Sequence, residues 1–483
     1  MLNRRALATI VSLGMFTLTT FRWAAPAQNS LSAGTQFYVA TTGSDANSGT
    51  SLSTPWRTIQ KAMNSATPGS TVNILAGTYN ERLTLNVSGT AGNYITFQPY
   101  NFSIPAGGCG GYTGVTCGGD AVILDYTYLG TVTDSVPFLL ISGKSYVRIQ
   151  GLTFQNFTNN GAFQQGLRID NGSNFVEFNY SKFLNNKNLG PWNGCCAFLH
   201  IRLWSSSNIL FHGNEIGNIV SNYSEAMTAD SGSTGFTAEY NWIHDTDAIA
   251  IDAHNGASNY TIRANKLEYI SMKRDGTVWY NSPAVAIYND GGNTGIMERN
   301  LVNHAGVGIQ ALAEPGMPAA HDVTIRNNIV ENCNQGIVIG TWYSSTDGST
   351  VYNINVFNNT FYGNTNGVVI RPMTSATVTW ENNLFANNLI SYSNALNLNP
   401  GSMNYNLYFN LYFAGDVGPE TNPISSDPLF NNEFAGDFTL QSISPAVNAG
   451  DPATSTDLAG SVDFAGNPRI LGGRVDVGAY EMQ

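Results

Sequence analysis

The sequence predicts an all-β chain wound as a parallel solenoid, and three observations predict it. A short unit of two alternating apolar runs joined by a turn recurs through the middle of the chain. Examples are Tyr240-Asn241-Trp242 followed by Ala248-Ile249-Ala250-Ile251-Asp252, and Ala264-Asn265-Lys266-Leu267 followed by Ala284-Val285-Ala286-Ile287-Tyr288. Asparagine returns at Asn179, Asn214, Asn241, Asn265, Asn300, Asn328, Asn359 and Asn383, at spacings of 24 to 35 residues. Charged residues are only 11% of a chain that holds 50 glycines, so solubility rests on amides and hydroxyls. Two strands per unit, repeated at such a period, mark a coil whose units bury their apolar faces on one another.

The elements follow in order. Arg4 and Arg5, the apolar run Ala6–Thr20 and Ala25-Pro26-Ala27 read as a secretory leader over residues 1–27, cleaved near Ala27. No later stretch approaches the roughly 20 apolar residues of a membrane span, so the mature chain is expected in the periplasm or the medium. Thr54 as N-cap, Pro55 at the first helical position, and Trp56, Ile59, Met63 and Ala66 on one face predict a short helix. That helix would cover the first coil, where apolar side chains and strand edges are otherwise open. Residues 28–398 are expected to form the solenoid with this cap. In a parallel stack equivalent residues lie about 4.8 Å apart, so the recurring asparagines are expected to form a side-chain ladder.

The opening carries Tyr38-Val39, Gly43-Ser44-Asp45, Gly49-Thr50, Pro55, Thr58-Ile59, Ala62, Pro68-Gly69, Gly77-Thr78-Tyr79 and Gly89-Thr90. In this order they resemble the start of secreted right-handed parallel β-helix proteins of the pectate-lyase-like superfamily, including the family 9 and family 6 polysaccharide lyases. The resemblance implies the right-handed parallel β-helix and a polysaccharide as partner, and it is shared by proteins of several activities. Residues 399–483 carry Asp427-Pro428-Leu429-Phe430, Ser444-Pro445-Ala446, Gly466-Asn467-Pro468-Arg469 and Val475-Asp476-Val477-Gly478-Ala479-Tyr480-Glu481. They resemble the C-terminal segment of many secreted bacterial β-helix proteins, and a capping or surface-association role is expected.

The formal net charge is −12, and three of the positive charges, Arg4, Arg5 and Arg22, lie in the leader. Nucleic acid is excluded as a partner, because phosphate binding needs a basic stripe. An anionic polysaccharide is not, since a local cluster of cations can outweigh a distant background. A monomer is expected. The five cysteines read as structural, with Cys109 and Cys117 bracketing a Gly-rich loop as the candidate disulfide. There is no nucleotide loop, nucleophile elbow or zinc signature, so no organic cofactor is expected.

Alternation within strands selects the chemistry. With Ile249, Ile251, Val285, Ile287, Val307, Ile309, Ile337 and Ile339 inside, the outward side chains form two columns. One is Asp252, Tyr288, Gln310, Gly340 and Arg371. The other is His254, Asp290, Leu312 and Trp342. The small outward residues Ala248, Ala250, Ala284, Ala286, Gly306 and Gly308 would floor a groove for an extended sugar chain. Glu225 lies one coil earlier on the same face. The inserted loop between Leu267 and Pro283 brings Lys273, Arg274, Asp275, Trp279 and Tyr280, and His200 and Arg202 would extend the groove.

β-Elimination from a uronate requires its carboxylate neutralised, so that a base can remove the acidified α-proton. Asp252, His254, Lys273, Tyr288, Asp290 and Glu225 are the candidate catalytic set, with Arg274, Trp279, Gln310, Trp342 and Arg371 holding the glycan. This exported lyase acting on an acidic polysaccharide is the leading expectation. Hydrolysis needs two carboxyls, one of them protonated, and Asp252 with Asp290 or Glu225 supplies them. Asp245, Asp247 and Asp252 resemble the calcium-binding aspartates of family 9 lyases, although the paired Asp-Asp is missing and the strand position expected for the lysine base reads Ile287-Tyr288. Calcium at Asp245 and Asp247 is the metal this implies. Ile251-Asp252-Ala253-His254 resembles the Asp-Pro-His-Glu site of mannuronan C5-epimerases at its Asp and His. An epimerase, and a noncatalytic carbohydrate-binding protein, are the remaining alternatives.

Overall fold

The computed structural model describes residues 34–104, 121–161, 164–190, 198–221, 224–271, 284–341, 350–372, 377–393, 401–410 and 420–483. The leader, Cys109, Cys117, Cys195 and Cys196 lie outside them, as do Lys273, Arg274, Trp279 and Trp342.

Most coils lay one strand in each of three long parallel sheets, which count fourteen, thirteen and eleven strands among the described residues. The unit therefore has three strands, not the two that the apolar pattern shows. The first sheet runs from Gln36–Val39 to Glu420–Thr421, the second from Gly77–Tyr79 to Ile424–Ser425, and the third from Leu83–Leu85 to Ile390–Ser393. Coils continue past residue 398, through Ser402–Asn404 and Leu407–Phe409, so the predicted boundary falls two coils early. Inward side chains from all three sheets form one apolar core. Like residues stack through it, with Phe178 on Phe211 at 5.1 Å and Phe361 on Phe385 at 5.0 Å between centroids.

The asparagine ladder runs inside the corner between the first and second sheets. Asn241 Nδ2 donates to the Phe211 carbonyl one coil back at 3.0 Å and to Asn265 Oδ1 one coil on at 2.9 Å. The same pair of bonds repeats from Asn214 through Asn300, Asn328, Asn359 and Asn383 to Asn406. Asn406 delivers its bond to Glu420 Oε1 at 2.9 Å. Asn179 is not a rung, because Ser181 stands in line there and Asn214 Oδ1 accepts from its backbone amide. The residue before each rung takes the left-handed conformation that turns the corner, as at Tyr240 (φ 56°) and Ala264 (φ 53°).

The capping helix spans Ile59–Ser65, and its N-cap is Thr58 rather than Thr54. The shift has a local cause. Asp45 accepts from the amides of Arg57 and Thr58, and Glu81 accepts from those of Ile59 and Gln60. The chain between Thr54 and Thr58 is thus held extended, with Trp56 bridged to Val39. Trp56, Ile59, Met63 and Ala66 are all buried, as predicted.

The C-terminal segment folds back along the side of the coils instead of closing their end. Phe430, Phe438, Leu440, Ala446, Phe464 and Val477 build a second apolar core on the outer face of the second sheet, against Ile329, Tyr362, Leu384 and Leu407. Among the described residues no helix is long and apolar enough to cross a membrane.

Candidate functional site

The third sheet carries the chemistry. Its strands present outward, inward, outward triplets: Arg168-Ile169-Asp170, Arg202-Leu203-Trp204, Thr228-Ala229-Asp230, Asp252-Ala253-His254, Tyr288-Asn289-Asp290, Gln310-Ala311-Leu312 and Val338-Ile339-Gly340. The register aligns Arg168 with Arg202, Arg202 with Thr228, Thr228 with Asp252, Asp252 with Tyr288, and Tyr288 with Gln310. A parallel column aligns Trp204 with Asp230, His254 with Asp290, and Asp290 with Leu312. The predicted pairs Asp252–Tyr288 and His254–Asp290 are therefore neighbours on one face. The columns slip by two residues beyond Gln310, where Val338 follows Gln310 and Gly340 follows Leu312. Arg371 accordingly lies beside Gly340 in the second column, against the expectation that both continue the first.

The predicted floor of small residues is overturned. Ala248, Ala250, Ala284 and Ala286 point into the main core, and a Cβ on Gly308 would strike Val330 Cγ1 at 2.4 Å. Ile249, Val285 and Val307 instead face outward and pack with Tyr288, Leu312 and Val338 as a separate cluster. His200 is also inside, among Phe138, Phe183 and Phe198, with Nε2 3.0 Å from Asn186 Nδ2. Burial pushes its pKa down to about 3, so it takes no part in the groove.

His254 is the hub. Its Nδ1 lies 3.1 Å from Asp230 Oδ1 and its Nε2 3.5 Å from Asp290 Oδ2. Asp230 also accepts from Arg202 Nε at 3.0 Å and from the Ser231 amide at 2.6 Å. Burial disfavours charge on Asp230, yet these bonds hold its carboxyl well below the usual range. Burial likewise works against the imidazolium, but the Asp230 bond and the surrounding carboxyls lift His254 to about 10. The remaining carboxyls go the other way. Asp290 is raised to about 8 by burial and by the charge of Glu314, against the pull of His254. Asp252, 1% exposed, is raised well above the ordinary value by burial, and Glu225 is raised by the same cause. Oδ1 of Asp252 and Oδ1 of Asp290 are buried without a hydrogen-bond partner. Tyr288 donates to Glu314 Oε1 at 2.9 Å, and Glu225 accepts from Ser224 Oγ at 2.7 Å. The segment after Ala313 closes over the column, and Gly291 (φ 70°) has no room for a Cβ, which would meet the Pro318 carbonyl at 2.7 Å.

Asp252, His254, Asp290 and Tyr288 thus come together, with Glu225 one coil back, bridged to Ile249 and within reach of the His254 charge. Gln310 is in line but its Nε2 is buried without a partner. Asp230, Glu314 and Trp204 are members that sequence reasoning missed. The signal for Asp230 and Trp204 was the triplet itself, since they stand one and two coils before His254 in the same frame. Asp245 and Asp247 do not fit a shared calcium ion. The Asp245 carboxylate takes His244 Nδ1 at 2.7 Å, and Asp247 Oδ1 takes the Ser221 amide at 2.7 Å. Among the described residues no group of three His, Cys, Asp or Glu side chains is arranged to hold a metal. A concavity of about 470 Å³ near Thr127, Asn156 and Lys187 is lined by neither carboxylate nor histidine, and Lys187 is the one titratable side chain among its described lining residues.

The fold and the cluster define a right-handed parallel β-helix protein with a carboxyl-rich patch on its third sheet. The family described as Right handed beta helix region matches residues 272–390, and a family of unknown function, DUF1565, matches residues 41–87. The chain is 24% identical over 462 residues to the uncharacterized protein YwoF of Bacillus subtilis (strain 168), covering 86% of this chain and 93% of that protein. Among solved structures it is similar to pectate lyase Pel9A, with a TM-score of 0.49, 14% identity and coverage of 93% of this chain and 96% of the other. It is also similar to XylC in complex with xylose, with a TM-score of 0.46, 12% identity and coverage of 93% and 98%.

Proposed function

We propose that this protein is an exported carbohydrate-active enzyme that hydrolyses a polysaccharide at the Asp252–His254–Asp290 cluster. The observation that carries this is a pair of buried carboxyls, Asp252 and Asp290, on neighbouring strands beside His254, whose Nδ1 lies 3.1 Å from Asp230 and whose Nε2 lies 3.5 Å from Asp290. Burial raises the Asp252 carboxyl well above the ordinary value, which favours its protonated form, and this acid can donate its proton to the glycosidic oxygen as the bond to the anomeric carbon breaks. Asp290, raised to about 8, is the carboxyl of the pair that loses its proton at mildly alkaline pH, and in its ionised form it takes a proton from the water that attacks that carbon. One water is consumed and both carboxyls return to their starting states by proton exchange. Asp230 stays ionised and holds His254 in place.

β-Elimination is the second reading, and the sequence favours it through Lys273 and Arg274. Among the described residues no neutral base faces the cluster, because His254 is charged and Tyr288 is raised well above the ordinary phenol value by burial and neighbouring carboxylates. Lys273 would have to be that base.

The test is incubation of the mature protein with neutral and uronate polysaccharides, with calcium and with chelator. New reducing ends and the ultraviolet absorbance of unsaturated uronate are followed together. Reducing ends without absorbance are expected, lost on the order of 10²–10⁴-fold in D252N and D290N. Absorbance rising with the reducing ends would replace hydrolysis by elimination, and no product from any glycan would sink both.

A further inference from the structure

We propose that Trp204 is a sugar-stacking subsite two coils before His254, and that the chain it binds is a neutral pyranose polymer lying along the helix axis; this rests on the glycan-cleaving reading above. Trp204 is 44% exposed at the end of the strand Phe198–Trp204. Its ring is fixed by the Arg202 guanidinium, whose carbon lies 4.5 Å from the ring centroid. Arg202 is fixed in turn by Asp230, the same carboxylate that holds His254. The platform and the hub are therefore one rigid assembly. A flat, open, immobilised indole suits the apolar face of a pyranose.

Spacing and charge narrow the ligand. Successive coils stand about 4.8 Å apart, close to the length of one pyranose in an extended chain, so a polymer parallel to the axis places one sugar per coil. A sugar on Trp204 then sits two residues from the one at His254. Among the described residues, the cations on the coils from Arg168 to Asp290 of this face, Arg168, Arg202 and His254, each touch a carboxylate, at 2.8 Å to Asp170, 3.0 Å to Asp230 and 3.1 Å to Asp230 respectively. Glu225, Asp252, Asp290 and Glu314 add carboxyls without added cations. Among the described residues these coils give a uronate no unspent positive charge, and they offer hydroxyls many acceptors.

Calorimetric titration of the full mature protein with neutral hexasaccharides (gluco-, manno- and xylo-configured) and with oligouronates tests this. At least one neutral hexasaccharide is expected to bind more tightly than any oligouronate. W204A is expected to weaken it about tenfold, with W204F restoring most of the loss and disaccharides, too short to reach the platform, unaffected. Unchanged affinity in W204A, or preference for oligouronates, would overturn the proposal. A hexasaccharide bound through Trp204 but never cleaved would instead sink the catalytic reading and leave the subsite standing.

Discussion

His254 faces two carboxyls in different states, and the pH dependence of the reaction should show both. With Asp290 raised to about 8 and His254 to about 10, activity is expected to rise as Asp290 loses its proton near pH 8 and to fall as the imidazolium discharges near pH 10. A bell-shaped profile of kcat/KM measures this. D230N removes the principal ion partner of the imidazolium. Its alkaline limb should move from about 10 toward the ordinary histidine value of roughly 6.5, while the folded state persists by circular dichroism. Asp252, His254, Tyr288 and Asp290 were legible from alternation, because a strand's period of two is fixed by its geometry. The error lay upstream, at Ala250-Ile251 and Ala286-Ile287, where two consecutive residues both pack inward. Alternation alone cannot register such a slip, and so alanines were placed in the groove that the structure puts in the core.

The asparagine ladder was the most legible element, since a buried amide that both accepts and donates has little choice but to recur at every coil. Asn300 accepts from Asn265 N and Nδ2 at 3.1 and 3.0 Å, and donates to Ile262 O and Asn328 Oδ1 at 2.9 Å each. N300A leaves several of these groups buried and unpaired, and a loss of about 3 kcal/mol is expected in denaturant unfolding. The C-terminal segment was legible as a unit but not in its placement, because nothing in its sequence names the outer face of the second sheet as its partner. Glu331 lies beneath that segment, near Gly436, and burial pushes its pKa up to about 7. Its folded pKa exceeds the unfolded value of about 4.3. The associated stability is complete below that unfolded value and is lost as pH rises through 7. The thermal midpoint should therefore fall between pH 5 and pH 8, and E331Q should flatten that slope.

At the scale of the whole molecule, stability is shared between stacked coils and a strap along their flank. Deleting residues 427–483 uncovers Ile329, Tyr362, Leu384 and Leu407 on the outer face of the second sheet. The truncated protein is expected to bind a hydrophobic dye and to associate, measured by fluorescence and light scattering. The internal amides carry one more consequence. Each rung from Asn214 to Asn406 sends one Nδ2–H to the acceptor on the next coil and turns its oxygen to the coil before it, so along this series the amides align head to tail like those of a helix backbone. The positive pole of this series falls at Asn406, and there the chain places the Glu420 side chain, whose Oε1 accepts from both Asn406 N and Nδ2 at 3.0 and 2.9 Å. An amide relays what it receives, whereas an ionised carboxylate only receives. The solenoid therefore has an electrical polarity as well as an axis, and Glu420 is its terminus in both senses.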